Sequence, residues 1–526
     1  MGLSQLDLLI VGGYAVTLVG LAWFLSREKT GHDKDAKDYF LASQALPWWA
    51  VGASLIASNI SAEQIIGMSG SGYVVGLAIA SYEWMAAATL LIVGKFFLPV
   101  FLKRGIYTMP QFLEQRFDTR VKTVMSIFWL MLYTFVNLTA ILWLGATAIN
   151  GLSGFDITYA IIALAAFAVV YSIYGGLKAV ALTDIVQVVL LVAGGVLITW
   201  LALDRVAGGA GPVEGFKVLL DQAPQKFDMI LSPDNPEYKN LPGLAVLVGG
   251  MWMMNLSYWG FNQYIIQRAL AAKSVDEAQK GILFAAFLKM LMPLIIVIPG
   301  IAAYVLAQDP SSGVSVGRPD QAYSSLMALT PEGIRGLIFA GLLAAIVSSL
   351  GSMMNSISTI FTMDIYRPLM RRDASEGQLV AMGRIVGVSA IVIAVLVAQP
   401  LLGNFPQAFQ FIQEFTGFFT PGICAIFILG VFWKGATASG ALLAAIATFA
   451  LSWAGKIYLP EMPFMDRVLY VFLACCGIML IAGLLERKPQ PKAIALGDIS
   501  FRTGLDYNVG AAVVLAMLAA VYTVFW

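Results

Sequence analysis

The stretch ASNISAEQIIGMSGSG, residues 57–72, decides how the rest of the chain is interpreted. It lies within an apolar segment, yet it carries seven polar side chains and three glycines. Lipid offers no hydrogen-bond partners, so polar, glycine-rich backbone at membrane depth is stable only where protein or a water-filled cavity surrounds it. A short polar loop between two helices is the alternative. Because apolar residues continue on both sides, we predict a membrane helix broken near its middle, with carbonyls and amides available to a ligand.

The composition is that of an integral membrane protein. Of the 526 residues, 59% are hydrophobic and 12% are charged, whereas an average soluble domain is about 25% charged. We expect one polytopic domain over residues 1–526 in a lipid bilayer, and the net charge of +1 gives no indication of nucleic-acid binding. The single histidine and the three cysteines form neither a disulfide framework nor a metal-ligand spacing. The first apolar run, residues 6–25, lacks a basic leader and a cleavage site, which predicts a retained helix rather than a signal peptide.

Fourteen apolar spans are predicted, each long enough to cross about 30 Å of hydrocarbon as a helix. They cover residues 4–26, 47–76, 78–102, 123–150, 157–175, 180–206, 241–266, 281–308, 333–362, 381–402, 405–432, 436–458, 466–485 and 507–526. The loops on one side hold 22 Lys and Arg residues and those on the other side hold 8. The richer side is the cytoplasmic one by the positive-inside rule. Both termini are therefore expected outside, in the periplasm, with the protein in the inner membrane.

A second span is interrupted in the same way as the first. Residues 248–264, VGGMWMMNLSYWGFNQY, break an apolar run with glycines and amides, five spans further along the chain. Because five is odd, two five-helix units would have opposite orientations, as in the inverted repeats of many secondary transporters. We predict an all-α protein in which residues 47–206 and 241–432 form the two repeats. Residues 1–46 would be a leading helix and cytoplasmic loop, and residues 433–526 flanking helices.

Two charged side chains remain deep within apolar spans, Glu83 and Lys289. Each costs about 3 kcal/mol or more at the bilayer centre, so both should face a polar interior. They form either a structural salt bridge or, with the amides of Gln64, Asn255 and Gln413, a site for a polar solute. These groups suit the hydroxyls of a neutral polyol, but an amino-acid zwitterion would also match one carboxylate and one amine. Aromatic side chains that could face a sugar ring, or simply belong to the core, are Tyr82, Trp84, Tyr258, Trp259, Phe409 and Phe411.

The ninth span contains a serine cluster, AAIVSSLGSMMNS, at residues 344–356. Serine in a membrane helix often serves only in helix packing or in bonding a nearby carbonyl. The alternative is a sodium site, because carbonyls freed by a broken helix coordinate Na⁺ in many transporters. Two hydroxyls from the cluster, which contains Ser348, Ser349 and Ser352, would complete such a site without a carboxylate.

Several motifs resemble one family. The stretch GGLKAVALTDIVQ, residues 175–187, is similar to the signature of the sodium/solute symporter family. The stretches SNISAEQ, GYVVGLAIASYEWM, YWGFNQYIIQRALAAKS and AAIVSS look like its sugar branch. The resemblance covers almost the whole chain. It implies a non-enzymatic, sodium-coupled symporter that moves a monosaccharide of the galactose or glucose type into the cell by alternating access. Another small polar solute, such as myo-inositol, an amino acid or a vitamin, is the alternative.

The resemblance also implies roles for individual residues. Sodium is the transported coupling ion, and no organic cofactor is implied; the substrate is the partner, and a homo-oligomer is left open. Two departures from the sugar branch, Ala86 and Ser257, leave the preferred sugar undetermined. The implied set comprises sodium ligands Ala57, Ile60, Ala345, Ser348 and Ser349, substrate contacts Gln64, Glu83, Asn255, Lys289, Gln413 and Tyr258, gates Met68, Tyr82, Phe409 and Trp259, and Asp184 on the sodium exit path.

Overall fold

The computed structural model is an all-helical protein. It describes residues 3–25, 45–106, 108–403, 407–487 and 489–526, without the side chains of residues 22–25 and 173–185. The α-helices are α1 Gln5–Leu25, α2 Trp48–Asn59, α3 Ser69–Val74, α4 Ser81–Ile92, α5 Leu98–Arg104, α6 Met109–Arg116, α7 Thr119–Met131, α8 Thr139–Ser153, α9 Ile157–Val206, α10 Pro212–Gln222, α11 Leu244–Val248, α12 Gly250–Leu256, α13 Gln263–Leu270, α14 Val275–Gln308, α15 Ala322–Met327, α16 Ile334–Ile360, α17 Glu376–Leu402, α18 Ala408–Thr416, α19 Thr420–Phe432, α20 Ala438–Tyr458, α21 Phe464–Glu486 and α22 Leu505–Val524.

Short π-helical and 3₁₀-helical segments link several of these helices. The π-helical segments are Glu63–Met68, Val93–Phe97, Leu132–Leu138, Ser257–Phe261 and Phe361–Met370. The 3₁₀ turns are Leu77–Ala80, Pro224–Lys226, Pro310–Ser312, Pro319–Gln321 and Leu496–Asp498. Single π-turns inserted in α-helices occur frequently at functional sites, and two of these segments lie in the two interrupted helices.

The apolar spans of the sequence correspond to helices of the structure. Within the described ranges, nine helices are long and apolar enough to cross a membrane, and α18 with α19 forms a tenth, bent by 44°. Two shorter apolar helices are recorded at Gln5–Leu21 and Ile157–Ser172. The two interrupted helices account for the remaining predicted spans, so the all-α, multi-span architecture is confirmed.

The structure differs from the sequence prediction between the fifth and sixth spans. We expected a cytoplasmic loop around Lys178, but α9 is helical for 50 residues without interruption. This stretch contains no proline that would remove a backbone donor, so its helix continues through the polar interruption. The two ends of α9 run in opposite directions along α16, because Leu164 and Tyr171 pack near Ile346 and Gly351, whereas Leu190 and Gly194 pack at Gly341 and Ile338. The helical backbone therefore turns back on itself, and α9 supplies both predicted crossings. The side chain of Asp184 lies outside the described residues.

The first interrupted helix consists of α2, the π-segment Glu63–Met68 and α3. Between α2 and the π-segment, the backbone N–H of Ser61 donates to Oε1 of Gln64 at 3.3 Å instead of to the carbonyl of Ala57. The N–H of Glu63 donates to Oγ of Ser61 at 3.2 Å. Side chains therefore replace the helical ladder at Ile60–Ala62, and the predicted break in residues 57–72 is confirmed.

The second interrupted helix runs through α11, α12, the π-segment Ser257–Phe261 and α13. It leaves helical geometry at Gly249 and again at Asn262, whose φ is −85° and ψ is 119°. The Asn262 side chain accepts from the N–H of Tyr264 and so begins α13. Because Asn, unlike apolar residues, can bond its own backbone, it stabilises this break. The predicted interruption of residues 248–264 is confirmed.

Helix α14 packs closely against α3, the second half of the first interrupted helix. A Cβ added at Gly300 would lie 2.2 Å from the Ser69 carbonyl oxygen, and one at Gly72 would lie 2.9 Å from that of Val297. No side chain fits at either distance, and such small residues let membrane helices approach closely. The same helix carries Lys289 about three turns before Gly300, so this packing holds the lysine beside the break.

Helix α1 is tied to the start of α16 by Asp7, which is buried. Its Oδ1 accepts the N–H groups of Gly333 at 2.8 Å and Gly336 at 2.9 Å. Asp7→Ala would leave the buried N–H of Gly336 and the half-buried N–H of Gly333 without this acceptor, and an unsatisfied buried donor costs about 1–3 kcal/mol. We expect a large fall in the thermal unfolding temperature of the detergent-purified protein. Asp7→Asn, which keeps an acceptor oxygen, should restore much of it, and equal temperatures for Asp7→Ala and wild type would contradict this role.

Candidate functional site

A cavity is enclosed by the two interrupted helices together with helices α4 and α18. It brings together nine side chains that the sequence predicted for substrate binding or gating. Those nine are Gln64, Met68, Tyr82, Glu83, Asn255, Tyr258, Trp259, Phe409 and Gln413. Asn59, Glu63, Asn137, Asn262 and Thr416 add further polar groups to its lining. The cavity therefore combines aromatic faces with carboxylates and amides, the groups that hydrogen-bond a polar solute.

Lys289 is the one predicted substrate contact that does not line this cavity. Its side chain is completely buried, and its ammonium group donates to the Glu83 carboxylate and to Oδ1 of Asn59. The ammonium also lies 4.9 Å from the centre of the Trp259 ring. The structure thus pairs the two intramembrane charges directly. Lys289 reaches the cavity through Glu83 and Asn59, both of which line it.

A chain of hydrogen bonds connects the two interrupted helices. The hydroxyls of Tyr258 and Tyr264 are 2.6 Å apart, and the Tyr258 hydroxyl accepts from the Asn59 amide at 3.1 Å. The Tyr264 hydroxyl donates to the Ser58 carbonyl at 3.0 Å. These bonds end on the backbone of α2 just before its break, so Tyr258 couples the cavity to the interrupted backbone.

The same break meets the serine cluster of α16. The Ser349 hydroxyl donates to the Ser58 carbonyl at 3.3 Å. In a continuous helix the N–H of Ser61 would donate to the Ala57 carbonyl, but here it does not. Sodium takes oxygen ligands from unwound backbone in many transporters, and oxygen atoms of both helices lie close enough here to supply them. The five predicted ligands are all buried: Ala57, Ile60, Ala345, Ser348 and Ser349.

The pattern of the sodium:solute symporter family matches residues 39–448. The chain belongs to this family. It is 50% identical over its whole length to the sodium/glucose cotransporter of Vibrio parahaemolyticus, of which the alignment covers 99%. It is 33% identical to sodium/glucose cotransporter 4 of Mus musculus, over 97% of this chain and 81% of the relative. The resemblance to this family that the sequence motifs indicated is therefore confirmed.

A solved structure supports the same assignment for the symporter fold. The substrate-bound, outward-open form of a Na⁺-coupled sialic acid symporter matches with a TM-score of 0.81 and 25% identity, over 93% of this chain and 99% of that one. Family membership makes the chain a multi-pass membrane transporter that moves a solute with sodium. Sodium is accordingly cargo and coupling ion. The role of each individual residue stays a prediction, which the contacts above support in different degrees.

Aromatic side chains cover one side of the symporter cavity. The rings of Tyr82 and Phe409 meet edge to face, with centroids 5.2 Å apart. Both are buried, as is Met68. These three residues lie together as expected of the predicted outer gate, while Tyr258 and Trp259 lie at the other interrupted helix, with ring centroids 5.2 Å apart.

Asp320 lies beside the outer gate, in the loop after α14. Burial raises its pKa to about 7, although its carboxylate accepts from the N–H of Ala408 at 3.3 Å. The folded protein therefore binds more protons here than the unfolded chain between about pH 4 and 7, and stability falls as pH rises through that window. Asp320→Asn should flatten this part of the profile of unfolding temperature against pH, measured in detergent. Parallel profiles for variant and wild type would contradict it.

Sequence reasoning assigned no individual role to two residues that the structure places at the site, Asn59 and Glu63. Asn59 bonds both Lys289 and Tyr258, and Glu63 lines the cavity. Both lie within the quoted stretch of residues 57–72, so its excess of polar side chains was the available signal. The spacing could not show which of them faced the cavity, because a broken helix has no fixed period across the break.

Proposed function

We propose that the protein carries a hexose of the galactose or glucose type into the cell together with sodium. The observation that carries the proposal is the cavity, which combines carboxylate and amide groups with aromatic faces directly beside the broken backbone. The 50% identical relative named a sodium/glucose cotransporter supports the same substrate class. Polyols both donate and accept hydrogen bonds, and such a mixed lining matches them.

In this proposal the sugar is held by Gln64, Glu83, Asn255, Lys289 and Gln413, with Tyr258 stacked on its ring. The Lys289 ammonium group donates to Asn59 and Glu83, so the lysine would also hold the Glu83 carboxylate in position. A carboxylate held in this way is a strong acceptor for a hydroxyl group. Met68, Tyr82 and Phe409 would close the outer side and Trp259, beside Tyr258, the inner one.

Sodium would bind where α2 breaks and α16 approaches. Its ligands would be the carbonyls of Ala57, Ile60 and Ala345 and the hydroxyls of Ser348 and Ser349, and Asp184 would lie on its exit path. Sodium here would hold the interrupted helix in the form that binds sugar. Coupling follows because each ligand then favours the same conformer.

The energy available is sufficient for concentrative uptake. A membrane potential of ~100 mV contributes about 2.3 kcal/mol per charge. A roughly tenfold sodium gradient contributes about 1.4 kcal/mol more. One sodium per sugar would then sustain roughly a 500-fold sugar gradient at perfect coupling. No ATP hydrolysis is needed for this mechanism.

We also propose the topology predicted from the loop charges. The two repeats would span residues 47–206 and 241–432, with both termini in the periplasm and the chain in the inner membrane. Residues 1–46 and 433–526 would flank that core. The orientation is tested by labelling from the outside single cysteines introduced after the C-terminal end of α22 and in the loop after α16. Labelling of the second position alone would overturn it.

The function is tested by uptake into proteoliposomes. We expect radiolabelled galactose or glucose to accumulate when sodium is high outside, and not when potassium replaces sodium on both sides. Unlabelled myo-inositol, amino acids and vitamins, added in excess, identify any other substrate. Sodium-driven uptake of one of these without uptake of either hexose would overturn the sugar proposal while leaving sodium symport intact.

A further inference from the structure

Glu63 is a buried acid at the central cavity, and one of its carboxyl oxygens lacks a hydrogen-bond partner among the described residues. It begins the π-segment after the break, lines the cavity and is 5% exposed. Its Oε1 is buried and has no hydrogen-bond partner among the described residues. Buried polar atoms without a partner are rare in folded proteins and call for a specific explanation, such as a ligand that supplies the missing bond.

Two other predicted acceptors in this cavity, Glu83 and Gln64, already have protein partners. Glu83 accepts from Lys289, and Oε1 of Gln64 accepts from Ser61 at 3.3 Å. The amide of Asn255 is directed to its own helix, where it donates to the Met251 carbonyl at 3.2 Å. Of the two cavity carboxylates, Glu63 is thus the one with a buried oxygen that no described donor reaches.

We propose that Glu63 is a further sugar-binding residue, whose Oε1 accepts a hydrogen bond from one hydroxyl group of the bound hexose. The inference rests on the proposed function and deepens it by adding a specificity determinant. A hydroxyl group of the bound sugar would supply the hydrogen bond that this buried oxygen lacks. A sugar that lacks the donating hydroxyl leaves the carboxylate unpaired, and sites of this kind reject such analogues strongly.

The test compares E63Q with wild type in binding and uptake of hexoses at saturating sodium. Glutamine keeps the shape of the side chain and an acceptor oxygen but removes the charge. We expect the affinity for hexose to fall about tenfold or more, because the amide group of glutamine offers the sugar hydroxyl one acceptor oxygen in place of two. Sodium affinity measured without sugar should be unchanged, which a general structural defect would not allow. E214Q, which removes an acid from an exposed pair with Lys217 on α10, is the matched control and should behave as wild type.

A panel of monodeoxy hexoses identifies the contact. For one analogue, wild type should lose at least tenfold in affinity, while E63Q should lose several-fold less, since only a weaker bond to its amide oxygen remains to be lost. This non-additivity is the expected signature of a direct interaction. Equal affinity of E63Q and wild type for hexose, or additive losses for every analogue, would overturn the inference and leave the proposed function standing. No binding of hexose by wild type would overturn both.

Discussion

Replacement of Lys289 by alanine should abolish sugar accumulation and lower the free energy of unfolding by about 3–5 kcal/mol. The lysine is completely buried and neutralises Glu83, which is 4% exposed in its side chain. Without the ammonium group, the carboxylate is left as an unpaired charge in a low-dielectric interior, and Asn59 loses its donor. Unfolding temperature in detergent and sodium-driven uptake in proteoliposomes measure the two effects.

The double variant E83Q/K289M separates stability from transport. It removes both charges and fills the lysine site with a side chain of similar length, and such replacements of buried pairs are often neutral or stabilising. We expect its unfolding temperature to return close to that of wild type while uptake remains absent. If K289A alone kept normal stability and uptake, the pair would be neither structurally nor functionally required.

The main architecture could be predicted because membrane insertion imposes strong local constraints. Lipid leaves polar backbone no partners, so the polar stretch of residues 57–72 had to be surrounded by protein, and the structure places it at the central cavity. The same cost argument singled out Glu83 and Lys289, which the structure joins in one ion pair. Such inferences need no knowledge of distant contacts, because each follows from the free energy of placing one polar or charged group in the membrane interior.

Details that depend on packing could not be predicted in this way. The connection expected as a loop between the apolar spans 157–175 and 180–206 has a helical backbone within α9, because a short polar stretch does not by itself end a helix. The bond from Asn59 to Lys289 joins residues 230 positions apart, and no periodicity relates them. Likewise, sequence spacing could not show that Gly300 brings α14 against the carbonyl of Ser69.

The network around the break links the two proposed ligand sites. The Ser58 carbonyl accepts from Ser349 on α16 and from Tyr264 on α13. Tyr264 in turn bonds Tyr258, which lines the cavity. A change in sodium occupancy that moved the α2 backbone would therefore alter partners that reach the sugar pocket. This continuous set of contacts offers a physical route for coupling in which both ligands bias one element.

Ser349→Ala should raise the sodium concentration required for half-maximal uptake about tenfold or more, with the maximal rate at saturating sodium less affected. The substitution removes one of the proposed oxygen ligands, and an interaction with a charged group is worth roughly 1.5–3 kcal/mol. At about 1.4 kcal/mol per tenfold change, that range corresponds to a factor of roughly 10–150 in sodium affinity. The sodium dependence of initial uptake rates measures the shift directly.

Two variants make this prediction specific. Ser358 lies on the same helix, but its hydroxyl is within hydrogen-bond distance of the Met354 and Gly383 carbonyls, at 2.7 and 2.6 Å, away from the break. Ser358→Ala should therefore leave the sodium requirement unchanged. Gln64→Ala should instead weaken sugar binding while sodium binding persists, because Gln64 lines the cavity. If S349A and S358A showed the same sodium dependence as wild type, the cation would have to bind elsewhere than between α2 and α16, and the broken backbone would serve the sugar alone.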